Sequence, residues 1–249
     1  MNANTKPCWA ELSSPDLTAA QEFYGGLFGW EFASPGPMGF GVRALVGGAP
    51  VAGISPQPEQ APAGQPGFWS LYFKVAELTA FLEDVEEAGG TAMMAIPDFD
   101  EHASVALVAD AAGTAFGALA YDDDRGFGAV GVDGATCWYE LHTKDPAASA
   151  FYSTVFGWDF AADPAAGPGY ETFSAGGELL GGMADISASE IPGHWESYIQ
   201  VADVDATAAR VEALGGALLA EPAASPRGRV GRFIDTHNAA FTVLAPAQR

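Results

Sequence analysis

Positive charge is scarce in this sequence. Ten Lys and Arg stand against 32 Asp and Glu, a formal net charge of −22 over 249 residues. So few cations leave no electrostatic footprint for a phosphate backbone, and nucleic acid is excluded as an expected partner. An acidic surface keeps a protein soluble and favours neutral or cationic ligands. Cysteine is rare too. Cys8 and Cys137 are the only two, too few for a disulfide framework, and each is expected as a small buried apolar side chain. Long apolar runs of bilayer-spanning length are missing, and the opening "MNANTKPCWAEL" has neither a basic cluster nor an apolar signal core. The expectation is a cytoplasmic protein with no membrane partner. Nor is there a Ser/His/Asp order, a CxxC pair, or a glycine loop in the strand-to-helix setting of a phosphate site. "GGAP" and "GGELLGG" therefore read as turns.

What the sequence does have is a repeat. "FYGGLFGWEF" at Phe23–Phe32 returns as "FYSTVFGWDF" at Phe151–Phe160. "CWAEL" from Cys8 returns as "CWYEL" from Cys137, "WSLYFKVAEL" from Trp69 as "WESYIQVADV" from Trp195, and "DAAGTAF" from Asp110 as "DTHNAAF" from Asp235. The offset drifts by a few residues, which places small insertions in loops. The expected organisation is two homologous domains, 1–122 and 135–249, joined by a polar, glycine-rich linker at 123–134.

Each copy follows one grammar. "WAEL" alternates like a half-buried strand. A helix follows, with Leu17, Ala20, Tyr24, Leu27 and Phe28 on one face, Asp16 as N-cap and Gly29 as stop. In the second copy Asp145 is the expected cap. Short strands with glycine turns come next, then "WSLYFKV", a helix over "AELTAFLEDVEEAG" and further strands. The fold class is α+β, with βαβββ modules used four times. The aromatic-glycine phrase is expected as a core staple.

An early strand, a helix ending in FY..(L/V)FGW and a later strand running into "V(A)D" together resemble the vicinal-oxygen-chelate superfamily, which includes glyoxalase I, extradiol dioxygenases and bleomycin-binding proteins. The likeness covers nearly the whole chain, twice, and is greatest for a two-domain glyoxalase-like or hydroxylase branch. It implies paired βαβββ modules whose sheets curl around a cleft, and a divalent metal held by ligands from the first, fourth, fifth and eighth strands. By that pattern the ligand positions fall near Trp9, Gly53, Ser70 and Gly117 in the first half, and near Trp138, Gly182, Glu196 and Thr242 in the second. The first half keeps no ligand. The second keeps Glu196, with Glu140 and His142 as substitutes along their strand. The expectation is no metal and no other cofactor, with a divalent metal left open in the second domain only.

Strand alternation sorts the faces. Trp9 and Glu11 share one with Ser13; Trp138, Glu140 and His142 share its counterpart. On the fifth strands, Phe68, Ser70 and Tyr72, and likewise His194, Glu196 and Tyr198, point to the cleft that the resemblance implies. Trp9, Glu11, Phe68, Tyr72, Trp138, His194 and Tyr198 are the expected substrate-binding residues, through apolar area and charge. His142, Glu140 and Glu196 are the expected catalytic group, because a histidine beside a carboxylate can move protons near neutral pH. His102 and His237 read as loop and turn residues. Arg227, Arg229 and Arg232, in "SPRGRVGR", read as a flexible loop near a cleft mouth.

The functional expectation is a protein for a bulky aromatic or cationic small molecule such as a natural product. It would be a metal-free or weakly metal-dependent hydroxylase, oxygenase or lyase, or else a non-catalytic binding protein of the resistance type. Lactoylglutathione lyase activity, which needs an intact metal site, ranks below these, as does a purely structural role. Monomer and homodimer both stay open.

Overall fold

The computed structural model describes residues 5–36, 39–123, 125–145 and 147–247. The four βαβββ modules are all present. The first holds β1 (Pro7–Ser14), α1 (Leu17–Phe28), β2 (Glu31–Ala33), β3 (Val42–Val46) and β4 (Ala49–Pro56). The second holds β5 (Phe68–Lys74), α2 (Leu78–Glu87), β6 (Thr91–Asp100), β7 (Ala103–Ala109) and β8 (Ala115–Tyr121). The third holds β9 (Thr136–Thr143), α3 (Ala148–Phe156), β10 (Asp159–Ala162), β11 (Glu171–Ala175) and β12 (Glu178–Asp185). The fourth holds β13 (His194–Gln200), α4 (Val204–Ala213), β14 (Ala217–Ser225), β15 (Gly228–Ile234) and β16 (Ala240–Pro246).

The helices start and stop for local reasons. Asp16 accepts the Ala19 N–H at the head of α1, and Gly29 closes it at φ 71°, its N–H bonded to the Gly25 carbonyl. Glu77 and Asp203 cap α2 and α4 in the same way. Asp145 is not the cap of α3: that helix begins at Ala148, and the Asp145 carboxylate instead takes the Ala147 N–H at 2.9 Å. The face of α1 is also wider than expected, because Phe23 is buried beside Ala20, Tyr24 and Leu27.

Two eight-stranded sheets result, in the orders β2-β3-β4-β1-β5-β8-β7-β6 and β10-β11-β12-β9-β13-β16-β15-β14. In each module the first strand runs parallel to the last, as in β1 with β4 and β9 with β12, while the hairpins are antiparallel. Gly47-Gly48 and Gly176-Gly177, all at positive φ, make the tight hairpin turns. The second glycine pair of "GGELLGG", expected as a turn, lies inside β12. The arginine-rich stretch is not a flexible loop either. Arg229 and Arg232 belong to β15, paired with Ala245 and Thr242 of β16, because a tight reversal at Gly228 (φ 140°) lets the chain resume its ladder.

The chain divides into two compact units. One contains 1–8, 71–125 and 138–196; the other contains 9–70, 126–137 and 197–249. Each is built around the same staple. In the first unit the Trp195 indole donates to the Tyr152 hydroxyl at 3.0 Å, and that hydroxyl donates to Asp110 at 2.9 Å. Asp110 then accepts the N–H groups of Ala112 and Thr114. In the second, Trp69 donates to Tyr24 at 3.2 Å and Tyr24 to Asp235 at 3.1 Å, with His237 and Ala239 N–H groups on the same carboxylate. Buried polar groups are tolerated when paired like this. Trp30 and Trp158 close the motif by donating to the carbonyls of Gly134 and Thr5, both at 2.7 Å. The repeated phrase is a core staple in both copies.

Candidate functional site

In the first unit β9 and β13 are neighbours, and they bring together three of the expected residues. His142 Nε2 lies 3.1 Å from Glu196 Oε2, with the two side chains 7% and 15% exposed. His194 stacks on His142, ring centroids 4.6 Å apart and planes within 4° of parallel. Its Nδ1 lies 3.0 Å from the Pro192 carbonyl, which orients the ring. Glu140 is two residues from His142 on β9. It sits one pleat earlier on the same strand, in register with Gly182, where the Tyr170 hydroxyl fills the space a side chain would occupy. Trp138 is buried. Tyr72 is also buried, and its ring lies over Gly117, its register partner on β8.

The second unit holds a different arrangement. Glu11 is 7% exposed. Its Oε2 accepts from the Trp9 indole at 2.7 Å, and its Oε1 accepts from the Ser55 hydroxyl. Burial pushes this carboxyl up to about 7, against the pull of the Ser55 and Trp9 hydrogen bonds. The carboxyl fits because its register partner is Gly53. A Cβ there would overlap Glu11 Oε2 and stand 2.9 Å from the Trp9 nitrogen. Trp9 is 1% exposed and packs its ring on Phe127 at 5.8 Å, so it holds Glu11 rather than presenting an open surface. Tyr198, in register with Thr242, accepts from Arg232 at 3.4 Å. Phe68 alone among the expected aromatics is well exposed. A cavity of about 280 Å³ lies in this unit between the end of α1 and the start of α4, lined by Phe28, Gln200 and Arg210 among others, and contains none of these residues.

The remaining candidates sit apart. His102 is exposed, its Nδ1 3.1 Å from Asp122; His237 sits in the turn before β16. Cys8 and Cys137 are both free, and burial pushes each thiol up to about 12.

Residues 8–117 match the family described as the Glyoxalase/Bleomycin resistance protein/Dioxygenase superfamily, and 138–244 match a glyoxalase-like domain. A Mycobacterium tuberculosis protein named "Putative glyoxylase CFP32" is 38% identical, the match covering 97% of this chain and 95% of that one. The chain belongs to this superfamily. The "Anthracycline biosynthesis protein DnrV" of Streptomyces peucetius is 32% identical over 96% of this chain and 92% of its own. Among solved structures, the dioxygenase LapB of Pseudomonas sp. KL28 superposes with TM-score 0.65 at 12% identity, covering all of this chain and 94% of that one. The Mn(II)-bound glyoxalase of Novosphingobium aromaticivorans gives 0.64 at 12% identity, with 100% and 85% covered. These two establish the shared superfamily fold: tandem vicinal-oxygen-chelate domains.

The superfamily's metal can be tested against this chain's donors. Gly53 and Gly117 offer none, and the Glu11 carboxyl and the Tyr72 ring fill the space beside them. Gly182 is covered by Tyr170, and Thr242 is fully buried. The four-position metal site therefore does not fit either sheet. A displaced set does exist, since His142, His194 and Glu196 offer donor atoms that all lie within 4.8 Å of one another. Their types suit a transition metal. Their orientation does not, because ring lone pairs lie in the ring planes, and parallel stacked planes point side by side rather than at one ion.

Sequence reasoning missed Arg43, Ser55 and Tyr170. The signal was there for two of them. Aligning the copies column by column sets Arg43 against Thr172 and Ser55 against Ala184, the sort of difference that marks one copy as specialised.

Proposed function

We propose that this protein is an enzyme acting on a bulky aromatic natural product, with His142 and Glu196 as its proton-transfer pair. The observation that carries this reading is the 3.1 Å contact between His142 Nε2 and Glu196 Oε2 in a nearly dry setting. With Nε2–H donated to the carboxylate, Nδ1 is left as the base, and the carboxylate stabilises the imidazolium that forms. Proton removal from a phenol or an acidic carbon is a step that a lyase or an oxygenase of such a molecule requires. The aromatic ligand class is supported by the anthracycline-biosynthesis relatives, similar over nearly the full chain. Were a divalent cation bound, His142 and His194 would have to turn out of their stack to hold it with Glu196, and it would supply Lewis-acid polarisation of a ligand oxygen. The stacked rings favour proton transfer by the residues themselves.

A second reading, non-catalytic binding, draws on the side chains at the ligand positions, which offer Glu196 as the one charged donor. Two experiments separate the readings. Tryptophan fluorescence titrated with aromatic polyketides should be quenched; a flat response across the panel removes the ligand class. With a substrate from that panel, His142→Asn should lower kcat at least about 100-fold with little change in ligand affinity. Binding without any turnover by the wild type would leave the non-catalytic reading standing.

A further inference from the structure

One row of residues crosses the strands of the second unit in register: Ala33 on β2, Arg43 on β3, Gly53 on β4 and Glu11 on β1. Its counterpart in the other unit reads Ala161, Thr172, Gly182 and Glu140. The rows agree at three positions and differ at one, where a cation replaces a hydroxyl. Residues directly opposite one another in a sheet project from the same face. Arg43 and Glu11 therefore share a face and are separated by a residue with no side chain, with their Cα atoms roughly 10 Å apart at the usual strand spacing. Arg43 is half-buried, and its Nε is buried with no hydrogen-bond partner among the described residues. That is unusual in a chain with 32 carboxylates to ten cations, since buried charged groups are ordinarily paired. Ser55, on β4, and Trp9 hold the Glu11 carboxyl over Gly53, while the equivalent of Ser55 in the other copy is Ala184.

We propose that Arg43 and Glu11, whose carboxyl lies over Gly53 on the strand between them, bind the ionised hydroxyl of a planar phenolic ligand. The Arg43 guanidinium takes the phenolate oxygen as a charge-assisted hydrogen-bond donor. The Glu11 carboxyl meets an adjacent ring oxygen. The second copy, with Thr172 in place of Arg43, lacks this grip, so the two halves of the chain differ in what they recognise. This assignment rests on the aromatic-ligand reading above and narrows it to acidic phenols.

Alizarin, whose absorbance reports its ionisation, and its dimethyl ether are suitable probes. At a pH just below that at which free alizarin ionises, the wild type should bind it with the phenolate spectrum. Arg43→Met should lose that spectrum and weaken binding about 10- to 100-fold, while both proteins bind the ether alike. Arg43→Gln serves as a second variant should the first fail to fold, as judged by its melting curve. Alizarin bound equally, with an unchanged spectrum, by wild type and by either folded variant overturns the proposal and leaves the aromatic-ligand reading intact. If neither compound binds the wild type, that broader reading fails and this site fails with it.

Discussion

At the scale of single residues, the Glu11 carboxyl has a measurable consequence beyond binding. It has two hydrogen-bond donors but almost no water, and burial moves it from the ordinary 4.5 to about 7. Between those values the folded chain holds a proton that the unfolded chain has lost, so stability falls as pH rises through that window. Above it the full cost is present, about 3 kcal/mol for a shift of this size. Glu11→Gln removes the titration and keeps a carbonyl to accept a hydrogen bond. Urea midpoints should decline with pH for the wild type between about 5 and 8, and decline less for Glu11→Gln. Parallel profiles would mean that Glu11 is hydrated and ionised in the folded protein.

At the scale of elements, the aromatic-glycine phrase separates two kinds of residue. Its aromatics pack and bond, while its glycine turns the chain. Gly29 holds φ 71° with nothing within 4 Å of where a Cβ would sit. Gly29→Ala should therefore cost only the left-handed backbone penalty, about 1 kcal/mol, read as a modest drop in Tm with the core's near-ultraviolet signal preserved. A loss several times larger would place an unseen packing role at this position. Element types were legible because the determinants are near neighbours: Asp16 and Gly29 bracket α1 within one stretch of chain, and βαβββ follows from periodicity. The start of α3 was misread because a turn closed by the Ala148 N–H on the Asp145 carbonyl, at 3.0 Å, comes before the helix begins at Ala148. The arginine stretch was misread because one tight reversal at Gly228 looks, in sequence, like a loop.

At the scale of the whole molecule, net charge sets a background on every measurement. A charge of −22 makes the compact state repel itself, and salt screens that repulsion over a Debye length of about 10 Å at 0.1 M. Tm should rise as NaCl is added to a low-salt buffer. The half-buried Arg125, paired with Asp123 at 2.7 Å and with the exposed Asp100 at 2.8 Å, acts the other way, as do the exposed ion pairs. A fall in Tm with salt would show that these pairs outweigh the excess of carboxylates. The same excess makes the Arg43 Nε, without a hydrogen-bond partner among the described residues, conspicuous.

The repeat, the module order and the staple phrases could be read from residue order, because hydrophobic period, caps and turns act over a few residues and leave their mark locally. The pairing of His142 with Glu196, 54 residues apart, and the row joining Glu11, Gly53 and Arg43 depend on strand register. Register is set by how whole strands pack and hydrogen-bond across a sheet, and a shift of one residue would send each of these side chains to the opposite face.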